Sequence, residues 1–523
     1  MTRTVLILIA AVALATAAGL ENVPTDSRLY DDLDLLKTSG LIHSMPSTSR
    51  PWTRGECVRL LLEARSTDPG SLGPAQLAAL KRLEFEFGSE LPATPARRPS
   101  LSVAVPDLGD ARARCDFFSR VDAALDTQHL SLGAVINNRP ADNFSFYERF
   151  ELTAHHPKII EVDIRPDSSG AHIPGSRGLP YHDMVTLETE LAYLAFRIPW
   201  LRLELGRDEF VWGPGYTGSV MLDDTAPALD HIQLSANYRN FKFLTFTSLL
   251  SRWGVKPRWL AAQRIELSLW NRLTLGGALM SVTSWDELQP RQLGGLVNPL
   301  IPLLLSEANS DFDGNSLVGL DAVYYLPRTK LYAQLLVDDY NNDKVSPQAL
   351  GVQVGAYVVP SLPIEARIEY TRVTAFTYYH RIHSIMFENY LTTMGHPLGP
   401  DADQLFATVN VAPNRWLRIE LAADYTRRGH YNHGDYDRTS YDRDDTTFLK
   451  DYRSFPARGY DSLGNIIDEV DKITRFGPGL EIRALRDLFV SLSVGLWRSQ
   501  NYQGAIGINK DGVDLALKVE YRY

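Results

Sequence analysis

The chain ends in the stretch Val513-Asp514-Leu515-Ala516-Leu517-Lys518-Val519-Glu520-Tyr521-Arg522-Tyr523, in which apolar and polar residues alternate. Successive side chains of a β-strand point to opposite faces, so the stretch predicts a strand with one apolar, aromatic face. Such strands are typical of transmembrane β-barrels, whose lipid-facing and lumen-facing residues alternate. A half-buried strand of a soluble sheet has the same pattern, so alternation alone does not distinguish the two.

The same alternation recurs upstream, and the connections between the alternating segments distinguish the two folds. Tight turns are predicted near 198–199, 238–240, 271, 326–329, 359–363, 412–415 and 484–487. Longer connections are predicted at 211–230, 251–257, 284–316, 341–349, 375–402, 428–472 and 499–511. Short turns at one end and long loops at the other are typical of a transmembrane barrel, whereas a Greek-key sandwich does not sort its connections in this way.

The number of strands follows from the turns. Seven tight turns predict seven hairpins, and residues 512–523 add one closing strand. Bacterial barrels have even strand numbers, so the region before Met184 must supply an odd number, and 115–126, 129–137 and 147–163 supply three. We therefore predict an all-β barrel of about 18 antiparallel strands, with about 16 as the second choice.

The N-terminus has the features of a secretory signal. Arg3 provides a positive start, 5–14 a short apolar run, and Ala15-Thr16-Ala17 a small-residue cleavage site. We therefore predict a signal peptide at 1–18, a helical domain at 19–92, a linker at 93–112 and the barrel at 113–523. The domain should lie in the periplasm and the long connections should be extracellular.

Helical features follow the signal. Leu29, Leu33 and Leu36 share one helical face, which ends before Gly40. Further along, Thr53 and Glu56 form a capping box, and Pro74 suits the first turn of a third helix, which carries Leu77, Leu80 and Leu83. These features predict a small α-helical domain before the first strand.

Composition narrows the class of protein. Hydrophobic residues make up 44% of the chain, yet no apolar run after the N-terminus approaches the ~20 residues of a membrane-spanning helix. The net charge of −10, without a basic stripe, argues against nucleic acid as a partner. The two cysteines, Cys57 and Cys115, fall in different predicted units, so two free thiols are favoured over the disulfide that an oxidising compartment permits.

Several motifs resemble the Wzi capsule-assembly family. They are Gly206-Arg207, Trp212-Gly213-Pro214-Gly215, Leu222-Asp223-Asp224, Asn298-Pro299, the run from Asp313 to Asp321, Leu331-Tyr332-Ala333-Gln334, Glu369-Tyr370-Thr371-Arg372, Tyr378-Tyr379-His380 and the run from Gly395 to Asp403. The resemblance implies an outer-membrane barrel with a helical periplasmic domain. It also implies a lectin that holds capsular polysaccharide or exopolysaccharide on the cell surface and is not an enzyme.

The residues after Gly206 combine the groups that sugars need. Trp212 and Tyr216 offer aromatic faces, Asp223 and Asp224 offer acceptors for hydroxyl groups, and 213–215 forms a Gly-Pro-Gly turn. Interface girdles also use aromatic residues, and ion pairs in the lumen also use carboxylates. Together with Arg207, these four side chains are the candidate polysaccharide site.

Arg207 offers a rigid fork of donors suited to carboxylates. Strict alternation places it on the same lipid-facing side as Leu203 and Leu205, whereas a bulge at Gly206 would turn it into the lumen. There it would bind an acidic sugar or pair with a carboxylate such as Glu204.

Other chemistries have weaker support. The acidic stretch 428–472 offers oxygen ligands for Ca²⁺ but lacks EF-hand spacing, so a solvated loop is favoured. The His155-His156 pair and the His380/His383 pair lack a third ligand at zinc spacing, and no Gly-x-Ser-x-Gly elbow or P-loop occurs. We therefore expect no metal, no cofactor and no catalytic residues.

Three functions are compatible with these sequence features. The first is a monomeric surface lectin that binds capsular polysaccharide or exopolysaccharide and is surrounded by outer-membrane lipid. The second is a porin or saccharide channel, which differs in having an open lumen. The third, an outer-membrane hydrolase, is disfavoured because the nucleophile motifs are missing.

Overall fold

The computed structural model describes residues 19–67, 72–88, 90–91, 112–124, 128–141, 143–155, 179–181, 185–253, 256–284, 314–339, 348–360, 362–380, 382–390, 392–414, 416–429, 459–460, 466–468, 470–483, 488–502 and 505–522. The predicted signal peptide, most of the predicted linker and most of the acidic stretch 428–472 lie outside these residues.

Among the described residues near the N-terminus, three α-helices follow one another: α1 (Leu29–Thr38), α2 (Arg54–Arg65) and α3 (Pro74–Glu86). The predicted capping box opens α2, because the Thr53 side chain accepts from the backbone of Glu56 while the Glu56 side chain accepts from Thr53. Their apolar faces form one core that includes Leu33, Leu36, Trp52, Cys57, Leu61, Leu80 and Leu83. No helix among the described residues is long and apolar enough to span a membrane.

Antiparallel strands make up most of the rest of the described chain. The barrel strands are β1 (Arg112–Ala124), β2 (Gln128–Ala141), β3 (Phe144–His155), β4 (Val185–Ile198), β5 (Leu201–Asp208), β6 (Leu229–Tyr238), β7 (Phe241–Trp253), β8 (Lys256–Leu269), β9 (Leu273–Ser284), β10 (Gly314–Leu326), β11 (Thr329–Asp339), β12 (Ala349–Val358), β13 (Ile364–Val373), β14 (Ala402–Asn414), β15 (Leu417–Arg428), β16 (Asp471–Arg483), β17 (Leu488–Gln500) and β18 (Asn509–Arg522). A further three-residue strand, Leu179–Tyr181, pairs with β4 alone.

The ring of strands is closed by its first and last members. Each strand pairs with the next in chain order, and β18 also pairs with β1 from Phe118↔Arg522 to Ala124↔Ala516. The prediction of an antiparallel barrel of 18 strands that follows a helical domain is therefore confirmed. Its closing strand is the alternating stretch at the C-terminus.

The connections are sorted between the two ends of the barrel. At one end, called the turn end, strands are joined through 142–143, 199–200, 239–240, 270–272, 327–328, 359–363, 415–416 and 484–487. At the other, called the loop end, they are joined through 125–127, 156–184, 209–228, 254–255, 285–313, 340–348, 374–401, 429–470 and 501–508. The long connection predicted at 251–257 is wrong, because β7 continues to Trp253 and β8 begins at Lys256. Polar residues such as Arg252 interrupt the apolar alternation before the strands themselves end.

An apolar belt covers the outside of the barrel. Its large side chains are more than a third exposed and include Leu203, Leu205, Ile232, Ile265, Leu320, Ile368, Leu405, Phe476, Leu496 and Val513. At the turn end the belt is bordered by Trp200, Trp270 and Trp416, which are also exposed. An outward apolar band with an aromatic border is the arrangement that a lipid bilayer requires of a barrel.

The helical domain covers the turn end. The Lys37 ammonium donates to the carbonyl of Asn271 in a turn (3.3 Å), and Asp34 pairs with Lys330 at the start of β11 (2.9 Å). Two segments, 19–23 and 44–53, enter the lumen; there the Asn22 amide donates to the carboxylate of Glu204 (2.9 Å). The domain and the barrel are thus joined by a continuous buried interface.

The cysteine in the helical domain is a free thiol. Cys57 is fully buried in the core of the domain, and burial raises the pKa of its thiol. A buried thiol held in its neutral form is inert, so its role is packing. The Cys115 side chain lies outside the described residues.

Candidate functional site

The connection 209–228, called the plug loop, folds inward from the loop end and lies inside the barrel. Its strand Val211–Trp212 pairs with Ser49–Arg50 of the helical domain, and the Gly213 amide donates to the carbonyl of Thr48 (2.8 Å). These contacts are made inside the barrel, where the plug loop meets the segment 44–53 of the helical domain. The helical domain and the loop end are therefore connected through the barrel.

An apolar core fixes the plug loop to the barrel wall. Trp212 is 1% exposed and meets the ring of Phe246 on β7 edge to face, with centroids 5.4 Å apart. Met221 packs against Gly319 on β10. A Cβ atom at position 319 would lie only 2.3 Å from the Met221 sulfur, so only glycine leaves room for it. The same core includes Phe210, Val220, Leu222, Leu260, Met280, Leu317 and Leu336. Burial of these side chains is the main force that holds the loop inside.

Polar side chains of the wall satisfy the backbone of the plug loop. Glu369 on β13 accepts from the amides of Tyr216 (2.8 Å) and Thr217 (2.9 Å). The side-chain amide of Gln353 donates to the carbonyl of Gly218 (3.1 Å). Because Gly218 has a φ of 137° and a Cβ there would lie 2.4 Å from Pro397, the turn requires glycine.

A second loop-end connection, 374–401, packs on the plug loop and reaches the mouth of the barrel. The Tyr378 hydroxyl donates to the carbonyl of Val220 (2.7 Å), and the Asp223 amide donates to the carbonyl of Met394 (2.7 Å). A short 3-10 helix, His383–Ile385, and the hairpin Glu388–Asn389 with Thr392–Thr393 belong to this connection. The two connections form one folded unit at the loop end.

Asp223 and Asp224 line a small pocket with Glu209 and Met394, and Asp223 is buried there. The carboxylate of Asp223 accepts from the Ser219 amide (2.8 Å) and the Thr225 hydroxyl (2.6 Å). Burial, followed by the charge of Asp224, raises the pKa of Asp223 to about 7, and these two hydrogen bonds oppose the shift. Asp223 therefore shapes the loop as well as lining the pocket.

The structure separates the other three predicted site residues from this pocket. Trp212 is buried in the core of the plug loop, and Tyr216 packs between Arg367, whose guanidinium is 3.9 Å from the ring centre, and Phe406 at 5.7 Å. Both rings are occupied by protein contacts. Of the five predicted residues, the structure brings only Asp223 and Asp224 together in this pocket.

Arg207 lies on the outer face of the barrel. The register of β5 with both neighbours is regular through Gly206, so the bulge that would turn Arg207 inward is absent. Its guanidinium instead makes a bidentate pair with Asp230 on β6 (2.7 and 2.8 Å), in which the Arg207 side chain is 35% exposed and that of Asp230 57%. The inward orientation considered from the sequence is therefore wrong.

A buried ion-pair network joins the wall to the helical domain. Arg264 on β8 is fully buried and donates to Asp321 (2.7 Å), to Glu266 (3.1 Å) and to the Thr48 hydroxyl (2.6 Å). Burial of these charges is tolerated because each charged group has an oppositely charged hydrogen-bond partner. Sequence reasoning missed this network, although alternation places Arg264 and Glu266 on the lumen face. Among the described residues, no group of three or more His, Cys, Asp or Glu could hold a metal ion.

Comparisons with known proteins agree with this architecture. The family model described as "Capsule assembly protein Wzi" matches residues 127–510, which is more than half of the chain. No match was found among curated proteins.

Solved structures with a similar fold were also found. One is Wzi of Escherichia coli, described as an outer-membrane protein involved in group 1 capsule assembly and a carbohydrate-binding β-barrel. It is 15% identical, with 96% of this chain and 99% of that chain covered and a TM-score of 0.61. Pseudomonas aeruginosa OprD is 11% identical over 79% of this chain and 95% of its own, with a TM-score of 0.43. The opdK protein of the same organism is 10% identical over 79% and 98%, with a TM-score of 0.44. From the family match and the closed, apolar-belted barrel, the chain is an outer-membrane β-barrel that belongs to the Wzi capsule assembly family.

Proposed function

We propose that this barrel binds capsular polysaccharide or exopolysaccharide at its loop end and so retains the polymer on the cell surface. Membership of the family and the carbohydrate-binding description of the Escherichia coli relative support this function. The observation that carries it is the pair of loop-end connections, 209–228 and 374–401, which pack on each other and on the barrel wall as one folded unit. A folded unit of this kind suits binding, because little ordering entropy is lost when a ligand docks.

The protein acts as a monomer and without catalysis in this proposal. Its outer belt meets lipid, and its ligand contacts are hydrogen bonds and ring stacking rather than bond-breaking groups. The net charge of −10 argues against nucleic acid as a ligand.

Surface retention of polysaccharide tests this function. Cells that lack the gene should release polysaccharide into the medium, and cells given back the full-length gene should retain it, because the polymer would lose its surface binding site. The measurement is the ratio of cell-bound to released polysaccharide after gentle washing. An unchanged ratio in cells without the protein would reject the proposal.

The alternative function is a porin or saccharide channel. The plug loop argues against a channel, because it fills the lumen beside β6 to β13. There it buries inward-facing side chains such as Phe246, Leu260, Leu317 and Leu336. A planar bilayer containing the purified barrel distinguishes the two. Steady single-channel conductance that added oligosaccharide blocks would favour the channel.

We also propose that the helical domain lies in the periplasm and that the loop end is extracellular. Short turns mark the periplasmic end of known outer-membrane barrels, and the helical domain covers that end here. A cysteine at the exposed residue Ser66 should then react with a membrane-impermeant maleimide only after the outer membrane is permeabilised, because the reagent cannot reach the periplasm.

The control is a cysteine at Ile506, an exposed residue of a loop-end connection, which should react on intact cells. Both variants carry Cys57→Ala and Cys115→Ser, so that each has a single thiol. Labelling of Ser66→Cys on intact cells would mean that the orientation is reversed.

A further inference from the structure

The lumen wall of β15 to β18 carries an aromatic side chain close to the mouth. Asp424, Arg475, Trp497 and Gly512 follow one another across the four strands in register. Their sequence neighbours Phe476 and Leu496 are about half exposed on the outer belt. Because side chains alternate, Arg475 and Trp497 face the lumen, so Trp497 is not part of a lipid-facing aromatic girdle.

The orientation of Trp497 is fixed by β18. Its indole lies against the backbone of Gly512, where a Cβ would be 2.3 Å from the ring atoms Cε2 and Cζ2. Its ring N–H donates to the carboxylate of Asp514 (3.1 Å). One side of the ring is therefore covered by the strand, and the side chain remains partly exposed to the lumen.

A second ring lies beside the first. Tyr502, in the connection between β17 and β18, is nearly parallel to Trp497, with an angle of 19° and centroids 6.3 Å apart. The Lys510 ammonium lies 4.3 Å from the centre of the Tyr502 ring. The position of Tyr502 is fixed by a backbone hydrogen bond across the connection, in which the Tyr502 amide donates to the carbonyl of Ile508 (2.8 Å).

The charges around the rings suit hydroxyl groups. Carboxylates at Asp514 and Asp424 accept hydrogen bonds, while Lys510 and Arg475 donate them. Asp514 and Lys510 are exposed, and the contact of Arg475 with Asp424 is long, at 3.9 Å. Exposed pairs of this kind contribute little to the stability of the fold, so stability alone does not account for the cluster.

We propose that Trp497, Tyr502, Lys510 and Asp514 form a subsite that binds one pyranose residue of a polysaccharide, an inference that rests on the proposed function. The apolar C–H face of the sugar packs on the exposed part of the Trp497 and Tyr502 rings. The hydroxyls at its edge bond to Asp514 and Lys510. Together these contacts supply the apolar surface and the directed hydrogen bonds that sugar recognition needs.

The first test measures affinity with the full-length protein in detergent. The probe is the polysaccharide purified from the producing cells and cleaved to short oligosaccharides. Trp497→Ala should weaken binding about tenfold or more, because the stacking surface is lost, and Trp497→Phe should weaken it less. The matched control, Trp270→Ala, removes an exposed tryptophan at the turn end and should leave affinity unchanged.

The second test uses the unmodified protein, so it does not depend on whether a variant folds. Hydroxyl-radical oxidation of Trp497, mapped by mass spectrometry, should fall when the oligosaccharide is added, whereas oxidation of Trp270 should not. Unchanged affinity in Trp497→Ala with no protection of Trp497 would overturn the subsite while the proposed function stands. Failure of the wild-type protein to bind would overturn both.

Discussion

Deletion of Leu517 to Tyr523 is expected to abolish assembly of the barrel. The deleted segment contains the partners of Phe118 to Ala123 on β1, so the truncated chain cannot close the ring. The deletion also removes the strand partners of Leu488 to Leu492 on β17. Two strand edges then face lipid with unpaired N–H and C=O groups, each of which costs several kcal/mol in an apolar medium, on the order of 4–8 kcal/mol without any partner. The expected result is loss of the folded, heat-modifiable band on a gel and of protein in the outer-membrane fraction.

The control for this deletion is Tyr521→Ala. It removes one outward aromatic side chain but leaves the backbone of β18 and its hydrogen bonds in place. It should therefore assemble. A truncated protein with normal heat-modifiable mobility would contradict closure of the barrel through β18.

Arg264→Met is the point substitution for which we expect the largest loss of stability. It leaves the buried carboxylates of Asp321 and Glu266 without their main partner. Breaking a buried pair in this way costs about 3–5 kcal/mol. The loss should appear as a lower midpoint in urea-induced unfolding of the purified barrel.

Arg207→Met is the matched control, because it removes an ion pair of the same type that lies at the loop-end edge of the outer face and is partly exposed. Exposed pairs contribute about 0–1 kcal/mol, so its midpoint should stay close to that of the wild type. Adding Asp321→Asn and Glu266→Gln to Arg264→Met should recover part of the loss, since the uncompensated charges are removed. Equal destabilisation by Arg264→Met and Arg207→Met would contradict the buried network.

The sequence was sufficient to predict the barrel because its signal is local. Lipid on one side and a polar lumen on the other impose a period of two on every strand, and the C-terminal stretch 513–523 shows that period at every position except Ala516. The helix capping box at Thr53 is equally local. Where polar residues end the apolar period early, as at Arg252, the strand boundary was misplaced.

The candidate site was harder to predict because its contacts are long-range. Trp212 meets Phe246 and the segment Ser49–Arg50, and nothing in its immediate sequence predicts these partners. One local signal was present, since the apolar run Val220-Met221-Leu222 is unusual for a solvent-exposed loop. That run indicates a connection folded into the barrel, in which aromatic residues serve packing before they serve a ligand.

The orientation of Trp497 could be predicted from the sequence, but its neighbours could not. Its position on the lumen face follows from alternation with Leu496, but the positions of Tyr502 and Lys510 beside it depend on the turn that joins β17 to β18. Sequence reasoning concentrated on the residues after Gly206, because a resemblance and a dense set of polar and aromatic types coincided there. The proposed subsite instead lies on β17, β18 and the connection between them.

The most direct test of polysaccharide binding is equilibrium titration of the purified, folded full-length barrel with the polysaccharide of the producing cells. Saturable binding by the folded protein, absent after heat denaturation, is the predicted result. No binding by protein that keeps its heat-modifiable mobility would contradict the account.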